Sequence, residues 1–147
     1  MTSEEFHNLV KRGTAEAEQG NTLDALFHLE SAAHSGSTPR LTSYLGYCLA
    51  KERREFKRAA DLCLEALKQE PAQAVHYLNL GRVYLVAGQK AAAIRALQKG
   101  VKFGKSRSII EELKMLGIRK PPVVASLPRD HPVNKYLGLL LKWLGAR

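Results

Sequence analysis

The chain has little of what staples, redox chemistry or membrane insertion require. Its two cysteines, Cys48 and Cys63, lie among apolar neighbours without CxxC spacing. They read as small core residues in a reducing compartment, and no disulfide is expected. No apolar run approaches the roughly 18 residues of a membrane span. The opening Met1-Thr2-Ser3-Glu4-Glu5 is acidic and leads into no apolar stretch of the signal-peptide kind. A secretory signal is therefore not expected, and the cytoplasm is the expected address.

Catalytic signatures are missing as well. The five histidines, at positions 7, 28, 34, 76 and 131, are scattered, and His28 and His34, six residues apart on one expected helix, fall on different faces. There is no HExxH, no glycine loop to cradle phosphate and no nucleophile elbow. The expectation is a protein that is not an enzyme, with no cofactor, no metal site and no small-molecule substrate.

At 147 residues, 45% of them hydrophobic, the chain is long enough to bury a core of its own. It carries 23 basic and 14 acidic residues, a formal charge of +9, which favours acidic peptides, nucleic acid or anionic lipid as encounter partners. The surplus is uneven. Residues 1 to 38 hold Lys11 and Arg12 against Glu4, Glu5, Glu16, Glu18, Asp24 and Glu30, so the excess of positive charge lies in the rest of the chain.

Self-similarity is the strongest signal. Ala25, Ala59 and Ala93 stand 34 residues apart, with Leu29, Cys63 and Leu97 four residues after each, and Ala32, Ala66 and Gly100 at the same period. Small residues at a fixed period mark places where helices approach closely. A glycine recurs in the helix before each series, at Gly13, Gly46 and Gly81. Turn signals at Gly20-Asn21, Gly36-Ser37-Thr38-Pro39, Glu70-Pro71 and Gly88-Gln89 divide the region into six helices. They are expected near 4–19, 22–35, 39–52, 55–69, 73–87 and 90–103.

The third copy reads Tyr77-x2-Leu80-Gly81-x2-Tyr84, then Ala93-x3-Leu97. The second keeps Leu45-Gly46-x2-Leu49, Ala59-x3-Cys63 and the closing Pro71, with Thr42 at the aromatic position. This resembles the tetratricopeptide repeat (TPR). The first copy keeps Leu9, Gly13, Ala25-x3-Leu29 and Ala32 but has Arg12 and Glu16 at usually apolar positions, as expected of an N-terminal cap. The resemblance implies an all-α fold, a superhelix of three TPR helical hairpins at about 4–37, 39–71 and 73–105. It covers residues 1 to about 105. A capping helix is expected at 106–117, from the spacing of Ile109, Ile110, Leu113 and Leu116 before Gly117, which completes a domain over 1–117.

Residues 118–131 hold Pro121-Pro122 and Pro128, which forbid helix and favour an extended strap or linker. Asp130-His131-Pro132 reads as a helix start, and 132–145 as an apolar C-terminal helix. Its Tyr136, Leu137, Leu140, Leu141, Trp143 and Leu144 leave almost no polar face, so it must dock. It folds back onto its own repeats, pairs with a second copy as a homodimer, docks on a partner, or lies peripherally on a membrane with Lys135, Lys142 and Arg147 toward head groups. The sharpest expectation puts 133–144 in the groove of this or a second molecule.

In the family, first helices line a concave surface that grips a peptide or a helix. Carried over by the glycine anchors, the groove is His7, Val10, Thr14, Ala17 and Glu18; then Arg40, Ser43, Tyr47, Ala50 and Lys51; then Val75, Leu78, Arg82, Leu85 and Val86. One subclass binds the C-terminal carboxylate of chaperones through a clamp of Lys, Asn, Asn, Lys and Arg. The matching positions here are Val10, Thr14, Tyr44, Val75 and Asn79, so that clamp is absent. Arg40 and Arg82 are candidates to pair acidic groups and Tyr47 to supply an anchoring ring.

The resemblance implies a non-catalytic interaction module or scaffold whose partner is a protein or peptide. The alternative is a peripheral membrane or secretion-chaperone type of holder that uses the apolar C-terminal helix. A nucleic-acid role rests on charge alone, because the basic run 51–58 is broken by Glu52 and Glu55 at a turn between helices and carries no recognised motif.

Overall fold

The structure, a computed structural model, describes residues 1–104 and 106–117. The expected linker 118–131 and the apolar segment 132–145 lie outside the described residues. Among the described residues seven α-helices follow one another: α1 (Ser3–Glu18), α2 (Thr22–Ala33), α3 (Pro39–Arg53), α4 (Phe56–Gln69), α5 (Ala74–Val86), α6 (Lys90–Val101) and α7 (Arg107–Met115). Each falls within a residue or two of its expected bounds, because sequence punctuation sets the ends. Thr2 and Glu5 form a reciprocal cap on α1, Thr38 accepts from Leu41 N ahead of Pro39, and Ser106 accepts from Ile109 N.

Consecutive helices pair as hairpins, α1 with α2, α3 with α4 and α5 with α6, and each hairpin stacks on the next. The glycine in each first helix lets its second helix lie against it. A Cβ on Gly13 would stand 2.7 Å from Leu29 Cγ, one on Gly81 2.7 Å from Leu97 Cγ, and one on Gly46 2.7 Å from the backbone oxygen of Ala59. The periodic small residues are sealed in these seams: Ala25, Ala59 and Ala93 are 0% exposed, as are Leu29, Cys63 and Leu97.

A second periodicity appears at the turns inside the hairpins. Gly20 and Gly88 have φ of 88° and 79°, and between them, 34 residues from each, Arg54 takes φ 55°. The turns inside the three hairpins each demand the left-handed conformation, and the middle one meets it with a residue that has a Cβ.

Three core clusters follow one another along the stack. One cluster joins α1, α2 and α3, a second runs from Ala50 through Ala59, Cys63 and Leu80 to Ala96, and a third joins Leu78 and Leu97 to Ile109 and Leu113 of α7. Burying Ile109 and Leu113 stabilises the end of the stack by about 2 kcal/mol each. Helix α3, with hairpins on both sides, is buried at every residue from Leu41 to Ala50. No helix among the described residues is long and apolar enough to cross a membrane.

Candidate functional site

The first helices α1, α3 and α5 lie side by side, and their shared face carries two hollows. One, of about 420 Å³, is lined by Phe6, His7, Val10, Lys11 and Thr14 of α1 with Thr38 and Arg40 at the start of α3. The other, of about 620 Å³, lies between Glu18, Tyr44, Val75 and Leu78 and is closed by Phe103 and the residues leading into α7. Of the groove residues expected from sequence, His7, Val10, Thr14 and Arg40 line the first hollow, and Glu18, Val75 and Leu78 the second. Lys51 and Leu85 line neither.

Ser43, Tyr47 and Arg82 take a different place from the one expected. They are 0%, 8% and 8% exposed, because α3 is sandwiched and its side chains turn into the contact with α5. There they join a polar network between the hollows. Both terminal nitrogens of Arg82 donate to Glu18, Nη1 to Oε1 and Nη2 to Oε2 at 2.9 Å, so residues 64 apart in sequence tie α5 to α1. Arg82 also donates to Asn79 Oδ1 at 3.2 Å, lies over the Tyr47 ring at 5.0 Å, and has Nε 3.6 Å from Glu112 Oε1 of α7. The Tyr44 hydroxyl donates to Glu18 Oε1 at 2.6 Å, and the Arg40 guanidinium lies 5.5 Å from the Tyr44 ring centre.

Burial opposes the charged form of Glu18. Hydrogen bonds from Arg82 and Tyr44, with the charges of Arg82 and Arg40, outweigh it and hold the carboxyl below its ordinary value. Burial and the bond to Glu18 push the Tyr44 phenol up, so it remains a donor. The Arg82 fork that sequence offers to a partner's carboxylate is thus already filled from within. Arg40, exposed at the edge of the first hollow, is not buried in this way.

Deeper in the layer, His76 is 1% exposed, with Nδ1 2.8 Å from Ser43 Oγ and Nε2 2.7 Å from Glu70 Oε1. Hydroxyl, imidazole and carboxylate in line have the order of a nucleophile relay. Here Ser43 is fully buried and its oxygen also accepts from Asn79 Nδ2 at 3.2 Å, so no substrate reaches it. The trio joins α3 to α5. Cys48 and Cys63 are equally sealed: burial, with Glu52 nearby, pushes the Cys48 thiol up to about 12, and burial alone raises Cys63. Neither has thiolate character at neutral pH. Among the described residues no three His, Cys, Asp or Glu are grouped to hold a metal.

Sequence reasoning missed Tyr44, Phe6 and Phe103 as wall residues and the Glu18–Arg82 link. Tyr44 sits one position beyond a carried-over groove position, and register could have found it. The link had no signal in spacing. Compared with models of known protein families and with curated proteins, the chain gives no match.

Proposed function

We propose that this chain is a TPR-type, non-catalytic binding module that holds a peptide or a helix from a protein partner along the face of α1, α3 and α5. The observation that carries the reading is the pair of hollows on that face. They are lined by successive first helices and hold seven of the fifteen side chains that the tetratricopeptide resemblance assigns to a groove. Support for the repeat comes from the three seams at Gly13, Gly46 and Gly81 and from the 34-residue recurrence of the left-handed turn.

The hollows differ in what they favour. The first joins Phe6 and Val10 to Lys11 and Arg40, which suits an apolar side chain followed by an acidic one. The second puts Val75, Leu78 and Phe103 beside Glu18, which suits an apolar or aromatic side chain with a donor at its tip. A guest spanning both alternates apolar anchors with an acidic group toward the α1 and α3 N-termini.

The test is selection of peptides from a random display library on the immobilised full chain, followed by calorimetric titration of the best binder. Arg40→Glu and Val75→Asp, one in each hollow, are expected to weaken binding about tenfold or more, the equivalent of 1.4 kcal/mol. Leu64→Glu, on the opposite face, leaves it unchanged. Equal affinity for all four proteins overturns the reading.

A further inference from the structure

The second-helix side of the stack carries a cleft of about 380 Å³ between α4 and α6, floored by α5. Its walls include Leu64 and Leu67 of α4, Tyr77, Leu80 and Tyr84 of α5, and Ala96 of α6. Leu64 is 47% exposed.

The repeat supplies an internal control. One period earlier, Leu62 stands where Ala96 does and packs onto the first core cluster, and Glu30, paired with Arg53, stands where Leu64 does. Leu45 and Leu49 of α3 occupy the floor positions there and are buried. The earlier gap is therefore filled by a leucine and bordered by a charge, whereas this one has been emptied by alanine and given an apolar rim.

We infer that the cleft between α4 and α6 is the docking site for residues 133–144 of the same chain. Length allows it. The segment follows 15 residues, 118–132, which span up to about 50 Å when extended, and the tether starts just beyond α7, which packs on α6, one wall of the cleft. Such a tether holds the segment at an effective concentration in the millimolar range, well above that of a second molecule in dilute solution.

Chemistry agrees with length. In the sequence, helical spacing puts Val133, Leu137, Leu140, Leu141 and Leu144 opposite the stripe of Lys135 and Lys142. With the leucines toward Leu64, Leu67 and Ala96, the lysines point away from the Arg95 and Lys99 that line the α6 edge. On the first-helix face one hollow has Glu18, Gln73, Ser106 and Ser108 among its walls, and the other sets Lys11 and Arg40 beside Phe6 and Val10. The assignment leaves that face open for a partner and stands independently of the proposed function.

Trp143 is the only tryptophan of the chain and reports on the segment directly. In the full chain its emission is expected blue-shifted and protected from acrylamide relative to a synthetic 133–147 peptide, at every protein concentration. Ala96→Leu restores the side chain of the preceding repeat, and Leu64→Glu charges an exposed wall without touching the core. Each is expected to move the emission to the peptide value and to speed tryptic cleavage after Arg129 and Lys135, with helical circular dichroism retained. Three results overturn the inference: Trp143 as accessible in the full chain as in the peptide, protection that grows with protein concentration, or protection insensitive to Leu64→Glu but lost in Val75→Asp.

Discussion

The seams inside the hairpins and the face built by their first helices obey opposite rules. At the seams the three copies agree: two of the glycine contacts match to a tenth of an ångström, and the alanines and their apolar partners are sealed to the same degree. On the first-helix face no two copies are alike. The positions in register with Arg82, one and two glycine-anchored steps back, are Tyr47 and Thr14, and of the three the arginine alone carries a charge, which it pairs with Glu18 of the first hairpin. The period therefore encodes the architecture, and departures from it set what each stretch of that face presents.

This contrast breaks most severely at Gly46. Its neighbour across the seam is a backbone oxygen, where Gly13 and Gly81 face the movable end of a leucine. Gly46→Ala is expected to destabilise by about 3 kcal/mol, and Gly81→Ala by about 1 kcal/mol after the gain in helix propensity. Equal losses in urea unfolding would mean that the backbones separate freely, and would erase the distinction between the seams.

Next in size is the cross-hairpin link. Arg82→Met is expected to cost about 2 kcal/mol, less than a wholly buried pair because Glu18 retains water access. Glu18→Gln,Arg82→Met should recover part of that loss. A double variant as unstable as the sum of the singles would show that the two side chains act separately.

The same pair sets a pH dependence. Glu18 titrates below its ordinary value of 4.5 in the folded chain, so its contribution is fully present above that pH and is lost as pH falls through the lowered folded value. The melting temperature of the wild type should therefore drop more steeply than that of Glu18→Gln below about pH 4.5. Parallel curves would remove the carboxylate from the stability of the fold.

The smallest effect lies where the seams' regularity meets an exception. Arg54→Gly relieves the left-handed strain but gives up the guanidinium's position over the Phe56 ring, 5.0 Å away. The net stabilisation is expected near 0.5 kcal/mol. A loss of that size instead would assign more to the ring contact than to the backbone.

Helices and seams were legible because each rests on local rules: caps at Thr2, Thr38 and Ser106, glycine turns, and small residues at a constant interval. The turn at Arg54 was the hardest of these, since no glycine announces it. The polar network was not legible. Whether Arg82 meets Glu18 or a partner depends on how far successive hairpins rotate, which spacing does not specify. His76 illustrates the same gap, being one of five scattered histidines in sequence and a fully enclosed link between two helices in the fold.

Stacked hairpins behave mechanically as a spring, each joint contributing a little bend and twist. The Glu18–Arg82 pair spans two joints at once and acts as a tie-bar, fixing the distance between the first and third hairpins and damping the bending mode that would open or narrow the space between them. On the proposed function, a guest would meet jaws already set to one width, so less of its binding free energy would go into stilling the spring. Acidification below the Glu18 titration unlatches the bar, and the stack softens without any hairpin coming apart.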